Sequence, residues 1–117
     1  MQLLANIAVA IVALLHLLFL VLEMFLWTKP LGRRVFGLSK ELADASASLA
    51  ANQGLYNGFL AAGLIWGLCA GNFAIKMFFL GCVIVAGIFG ALTAKRSILF
   101  VQALPGAVAA LLVYLAR

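Results

Sequence analysis

Few residues of this chain have hydrogen-bonding or acid–base chemistry, and four of them lie close together. The stretch ANQGLYNGFL at 51–60 contains Asn52, Gln53, Tyr56 and Asn57, which we call the polar cluster. Amide side chains donate and accept hydrogen bonds, and a phenol can do either. Groups of this kind orient a polar ligand or hold neighbouring helices together.

A single carboxyl group is placed to meet the polar cluster. Glu23 lies on a long apolar run, one helical turn before Trp27, and Trp favours the interface between membrane and water. Glu23 lies near the end of the first helix and the cluster lies near the start of the next, so both are expected at a similar depth in the membrane. We therefore expect Glu23 to hydrogen-bond at least one cluster residue. An ionisable side chain inside a span is a candidate functional residue by default. The predicted ligand site consists of Glu23, Trp27, Asn52, Gln53, Tyr56 and Asn57.

Two further polar residues are secondary candidates. His16 precedes Glu23 by seven residues, which places both on one face of a helix. A packed histidine is favoured there over a proton relay. Gln102 lies near the start of the last apolar segment, where a hydrogen bond that holds helices together is favoured over a functional role.

The composition indicates what class of protein must position these residues. Of the 117 residues, 68% are hydrophobic and 9% are charged, and the mean hydropathy is +1.25. A soluble domain of this size needs more charge on its surface, whereas apolar runs of about 18 residues or more predict transmembrane helices. Four such runs are present, at about 3–27, 47–70, 74–94 and 97–116.

These runs predict an all-α fold, an antiparallel four-helix bundle in the membrane that forms one domain over residues 1–117. The second helix is expected to begin before its apolar run, near residue 40, because Ser39 can cap it. Short turns between the later runs place successive helices antiparallel. Pro105 removes a backbone donor within the last helix, so a kink is expected there.

Small residues recur at four-residue spacing along the second run. Gly54 and Gly58 share one stripe, and Gly63 and Gly67 share another. Small residues at this spacing let helix backbones approach closely in lipid. The stripes predict tight helix contacts without naming the partner helix.

The basic residues predict the orientation in the membrane. Six of the eight lie in the first and third loops, whereas Lys76 and Arg117 lie on the other side. Cytoplasmic loops carry the excess of Lys and Arg, so both termini are expected on the non-cytoplasmic side. This pattern favours a multi-pass protein of the cell inner (plasma) membrane with the lipid bilayer as partner. Nucleic acid is not expected, because the basic residues flank apolar runs instead of lining one face.

Several strings of the chain carry a family resemblance: LHLLFLVLEMFLW at 15–27, FG at 36–37, ANQGLYNGFLAAGL at 51–64, GALT at 90–93 and QALPG at 102–106. They resemble a bacterial family of small, four-span integral membrane proteins that is catalogued as a domain of unknown function. The similarity covers nearly the whole chain, and its motifs are LExFxW and NQGxYNGFLA. It implies a four-helix membrane protein and includes the six predicted site residues among its motif positions. It implies no activity.

Three functions remain open from the sequence. The first is binding or transport of a small cationic or amphipathic ligand, with Glu23 as counter-charge; a chain this short favours a dimer for transport. The second is a structural or accessory subunit whose polar residues set helix register. The third is an enzyme acting on a lipid-like substrate, with Glu23 as general acid or base. No His lies at metal-ligand spacing from Cys69 or Cys82, so no metal site and no cofactor are predicted.

Overall fold

A computed structural model describes all 117 residues, and every regular element in it is helical. The chain divides into two compact units, one of Met1–Leu14 with Leu60–Arg117 and the other of Leu15–Phe59. Two of the helices run through both units. Five α-helices and one π-helical segment follow in the order α1 Gln2–Met24, α2 Pro30–Phe36, α3 Lys40–Ala70, α4 Phe73–Thr93, the π segment Leu99–Ala103 and α5 Leu104–Ala116.

Three stretches of helix are long and apolar enough to cross a membrane: α1, α4 and Leu99–Ala116. The sequence predicted four spans, and the difference lies in α3. That helix has 31 residues, but its first turns carry charged side chains and its middle carries the polar cluster. The helix is long enough to cross a membrane, but it is less apolar than the other three stretches.

Large apolar side chains cover much of the surface of these helices. Leu3 on α1 is 73% exposed, Leu92 on α4 is 82% exposed and Leu115 on α5 is 55% exposed. Side chains of this kind are unfavourable in water and favourable in lipid hydrocarbon. The exposed surface and the three long apolar helices together indicate a membrane protein.

The first unit has an apolar core in which glycines allow close helix contact. Val9, Leu64, Leu80 and Val83 are fully buried in it. A Cβ built on Gly63 would lie 2.3 Å from the ring of Phe79, so that ring rests directly on the backbone of α3. The glycine stripe predicted at Gly63 therefore has α4 as its partner.

The interruption predicted at Pro105 takes the form of a π-helical segment. The Leu104 N–H donates to the Leu99 carbonyl, a bond that spans five residues. Pro105 has no N–H to continue the α-helical ladder, and a π turn is one of the known ways in which a helix absorbs such a break. Immediately after it, Gly106 lies against Val83 of α4.

The second unit contains a short helix, α2, that the sequence did not predict. Pro30 opens it and Gly37 ends it with φ +66°, a left-handed conformation that favours glycine. A Cβ on Gly32 would lie 1.8 Å from the Leu26 carbonyl oxygen, so α2 packs directly on the chain that leaves α1. After it, Ser39 Oγ accepts a hydrogen bond from the Leu42 N–H at 3.1 Å and caps α3.

Two glycines of α4 test how tightly this helix packs. A Cβ on Gly87 would lie 2.6 Å from the backbone nitrogen of Ala103, whereas a Cβ on Gly81 meets nothing within 4 Å. We predict that Gly87→Ala lowers the free energy of unfolding by about 1–3 kcal/mol through overpacking. The matched change Gly81→Ala should be neutral or raise it by up to about 1 kcal/mol through helix propensity. SDS-driven unfolding in mixed micelles measures both, and equal effects would contradict the close approach at Gly87.

Candidate functional site

Glu23 and Asn57 meet inside the second unit. Glu23 lies one residue before the end of α1, and Asn57, 6% exposed, lies near the middle of α3. The Asn57 Nδ2 donates to Glu23 Oε1 at 2.5 Å. A hydrogen bond to a carboxylate is stronger than one between neutral groups. The contact expected between Glu23 and the polar cluster is therefore present, and its cluster member is Asn57.

Two glycines explain how the helices come close enough for this bond. A Cβ on Gly54 would lie 2.6 Å from Met24 Cγ and 3.2 Å from Glu23 Cβ, and a Cβ on Gly58 would lie 2.7 Å from Leu20 Cδ1. Gly54, Asn57 and Gly58 are spaced three and four residues apart, which places them on one face of α3. The predicted glycine stripe thus faces α1, and Asn57 lies on the same contact face.

The charge of Glu23 has no cationic partner in the chain. The ion pair that the structure contains joins Lys40 Nζ to Asp44 Oδ2 at 3.1 Å, on the exposed first turns of α3. Glu23 is partly buried, and its partner Asn57 is a neutral amide. An amide donor stabilises a carboxylate but leaves its net charge in place.

Trp27 joins the three helices of the second unit. Its indole Nε1 donates to Ser46 Oγ of α3 at 3.0 Å, and its ring lies 4.8 Å from that of Phe36 at the end of α2. The Ser46 hydroxyl donates in turn to the Leu42 carbonyl at 2.6 Å. Trp27 holds the chain after α1 in place, so its role in the structure is to position the turn that follows Glu23.

The other cluster members do not point into this contact. Asn52 and Gln53 are exposed, and Tyr56 is 52% exposed with its ring 6.0 Å from that of Phe59. A helix turns by about 100° per residue, so Asn52 and Tyr56 are turned well away from the face that carries Asn57 towards Glu23. Gln53, four residues before Asn57, is closer to that face but is exposed. Their polar groups lie on the surface of the second unit.

The two secondary candidates make other contacts. His16 is fully buried, and its ring contacts that of Phe19 edge-on at 5.3 Å. Gln102 belongs to the first unit, where its Nε2 donates to the Val83 carbonyl at a long 3.4 Å. No three His, Cys, Asp or Glu side chains lie close enough together to hold a metal ion.

The first unit holds a polar pair, the buried Lys76 and the partly buried Asn6, that the sequence did not single out. Lys76, 4% exposed, donates from Nζ to Asn6 Oδ1 at 2.9 Å. A Cβ on Gly67 would lie 2.9 Å from Lys76 Cγ, so the lysine stem lies on the backbone of α3. From the sequence, Lys76 counted only as a basic residue on the non-cytoplasmic side. The one feature of the sequence that could have indicated a buried partner for Lys76 was Asn6, an amide within the long apolar helix α1.

The Asn57 contact predicts a difference between two asparagines of one helix. Asn57→Ala removes the donor to a partly buried carboxylate and should lower the free energy of unfolding by about 1–3 kcal/mol. Asn52→Ala makes the same chemical change on the surface and should cost no more than about 0.5 kcal/mol. SDS-driven unfolding of both variants measures the difference, and a silent Asn57→Ala would show that the bond adds nothing to stability.

The Lys76 contact predicts coupling between two helices. Lys76→Met leaves the partly buried Asn6 amide oxygen without its donor and should cost about 1–3 kcal/mol. The double variant Asn6→Leu, Lys76→Met replaces both polar partners with apolar ones and should recover most of that loss. A double-mutant cycle of unfolding free energies gives the coupling. Additive effects of the two changes would contradict a direct interaction.

Comparison with known proteins places the chain in one family. The model of the family described as "Protein of unknown function (DUF1304)" matches residues 10–114. The "Uncharacterized protein YpaA" of Lactococcus lactis subsp. lactis (strain IL1403) is 31% identical over 106 residues, which cover 87% of this chain and 89% of that protein. No solved structure matches the chain significantly. The family match extends from within α1 to within α5, and the chain belongs to the DUF1304 family of proteins of unknown function.

Proposed function

We propose that this protein binds a small cationic, amphipathic ligand within the membrane, with Glu23 as the counter-charge. One observation carries the proposal: Glu23 lies in a helix of membrane-crossing length, and the chain offers it a neutral amide but no cation. An ionised carboxylate in a low-dielectric environment is costly unless a positive charge accompanies it. A bound cation supplies that charge.

The surroundings of Glu23 suit an amphipathic ligand. The apolar side chains of Leu20 and Met24 on α1 lie beside the pair, against the glycines of α3. Asn57 donates to Oε1 and leaves Oε2 for a ligand. Tyr56 and the exposed amides of the polar cluster can contact polar parts of the ligand. Trp27, one turn after Glu23, can supply an aromatic face to a cation.

The placement in the membrane is part of the same proposal. The apolar run of α3 at about 47–70 provides a fourth crossing, and the six basic residues of the first and third loops face the cytoplasm. Both termini then lie on the other side of the inner membrane, and Glu23 lies in the cytoplasmic half of the bilayer. A transport function would require a second copy of this short chain, since one copy has few polar groups beyond this level.

A second candidate function is a structural subunit in which Glu23 and Asn57 only set helix register. The tight contact at Gly54 favours it, because a Cβ there would already meet Met24 and Glu23. Setting the helix register requires the hydrogen bond between Glu23 and Asn57 but does not require a charge on Glu23. The two functions therefore respond differently to Glu23→Gln, which keeps the side-chain shape and removes the charge.

We expect the wild-type protein in dodecyl maltoside to bind tetraphenylphosphonium, an apolar cation, in equilibrium dialysis with a labelled probe. Glu23→Gln should weaken this binding about tenfold or more, the loss expected when a charged partner is removed. Glu41→Gln removes the same charge from the exposed start of α3 and should leave binding unchanged within about twofold.

Stability measurements separate the two functions. If Glu23→Gln binds the probe as wild type does, or if wild type shows no saturable binding, the ligand proposal is wrong. In a register role, Glu23→Gln leaves stability nearly unchanged, and Glu23→Ala lowers it by about 1–3 kcal/mol because Asn57 loses its acceptor.

A further inference from the structure

The second unit contains a basic depression that the Glu23 site does not use. It has a volume of about 310 Å³ and lies along α2 and the residues after it. We call it the Arg33 pocket; its lining residues are Pro30, Arg33, Arg34, Gly37 and Leu38. Two arginines in so small a lining set give it a strongly positive character.

Arg33 has a hydrogen-bond donor that the chain leaves unsatisfied. Its Nε is buried and has no hydrogen-bond partner, and neither Arg33 nor Arg34 lies within ion-pair distance of a carboxylate. Buried donors are nearly always paired, and an unpaired one costs free energy. Arg33 lines the pocket, so an acceptor group bound there could satisfy this Nε once the Arg33 side chain turns towards it. Because guanidinium groups bind planar pairs of oxygens in a fork, the acceptor that fits best is an oxyanion.

The place of the pocket along the chain points to a membrane-surface ligand. α1, which is long and apolar enough to cross a membrane, ends at Met24, and α2 begins at Pro30. Trp27 lies between them, as aromatic residues commonly do at the level of lipid headgroups. Basic side chains just beyond a membrane helix meet the phosphates of anionic lipids.

We propose that the Arg33 pocket binds a phosphate group, held by the guanidinium groups of Arg33 and Arg34. The phosphate of an anionic phospholipid headgroup and that of a soluble phosphate ester present the same oxygens to these arginines. The position next to a membrane-crossing helix favours the lipid. This site is independent of ligand binding at Glu23, because it rests on different side chains and on the opposite charge.

Binding to the purified full-length protein in dodecyl maltoside tests the proposal. Microscale thermophoresis would compare three probes: phosphatidylglycerol, a diacylglycerol with the same acyl chains, and glycerol 1-phosphate. We expect saturable binding of phosphatidylglycerol and at least about tenfold weaker binding of the diacylglycerol, which lacks the phosphate. Glycerol 1-phosphate distinguishes a phospholipid headgroup from a soluble phosphate ester as the natural ligand. Binding as tight as that of phosphatidylglycerol would assign the pocket to soluble phosphate esters, and weaker binding would assign it to the lipid.

Variants assign the binding to the pocket. Arg33→Gln should weaken phosphatidylglycerol binding about tenfold. Arg96→Gln removes the same charge from an exposed turn of the first unit and should change binding by less than about twofold. Arg33→Lys keeps the charge and removes Nε, and it should remain several-fold weaker than wild type because the fork is lost. It also covers the case in which Arg33→Gln does not fold.

Three results would overturn the phosphate site. The first is equal binding of phosphatidylglycerol and the diacylglycerol, which would show that the phosphate is not recognised. The second is an equal loss of binding in Arg33→Gln and Arg96→Gln, which would reduce the effect to net charge. The third is Arg33→Lys binding as tightly as wild type, which would exclude a role for Nε.

Discussion

The hydrogen bond from Asn57 to Glu23 is the constraint on which the second unit depends. A carboxyl group in a long apolar helix needs a polar partner, and a direct bond to α3 requires that the two helices approach closely. Gly54 and Gly58 make that approach possible because any larger side chain would meet α1. Trp27 then fixes the turn that leaves α1 through its bond to α3. The packing of this unit is thus arranged around one acidic side chain.

In the first unit a basic side chain, instead of an acidic one, is hydrogen-bonded to a neutral amide. Lys76 is buried in an apolar helix, its partner Asn6 is again a neutral amide, and Gly67 makes room for its stem. In both pairs an asparagine satisfies hydrogen-bonding capacity without cancelling charge. Each unit therefore keeps one ionisable side chain, the partly buried Glu23 or the buried Lys76, that has no oppositely charged partner, and its charged form is costly if the pair serves only to hold helices together. This cost is the physical reason to assign Glu23 a ligand.

The sequence predicted local features well, but it did not predict which face of α3 points towards α1. The all-helical fold, the cap at Ser39, the glycine contacts and a Glu23 partner in the polar cluster follow from spacing and hydropathy. Which cluster residue faces Glu23 depends on how α3 is turned about its axis, and packing at Gly54 decides that. The short helix α2 was missed because its seven residues include Pro and Gly and are held by contact with Leu26. Lys76 was missed because its burial depends on Asn6, distant in sequence.

The central claim is that Glu23 provides the charge that binds a cation, and infrared difference spectroscopy tests it most directly. Spectra of the purified protein would be recorded before and after addition of tetraphenylphosphonium, for wild type and for Glu23→Gln. The account predicts a ligand-induced change in the carboxyl and carboxylate bands of wild type that is absent from Glu23→Gln. The same carboxyl and carboxylate bands changing equally in both proteins, or in neither, would contradict it.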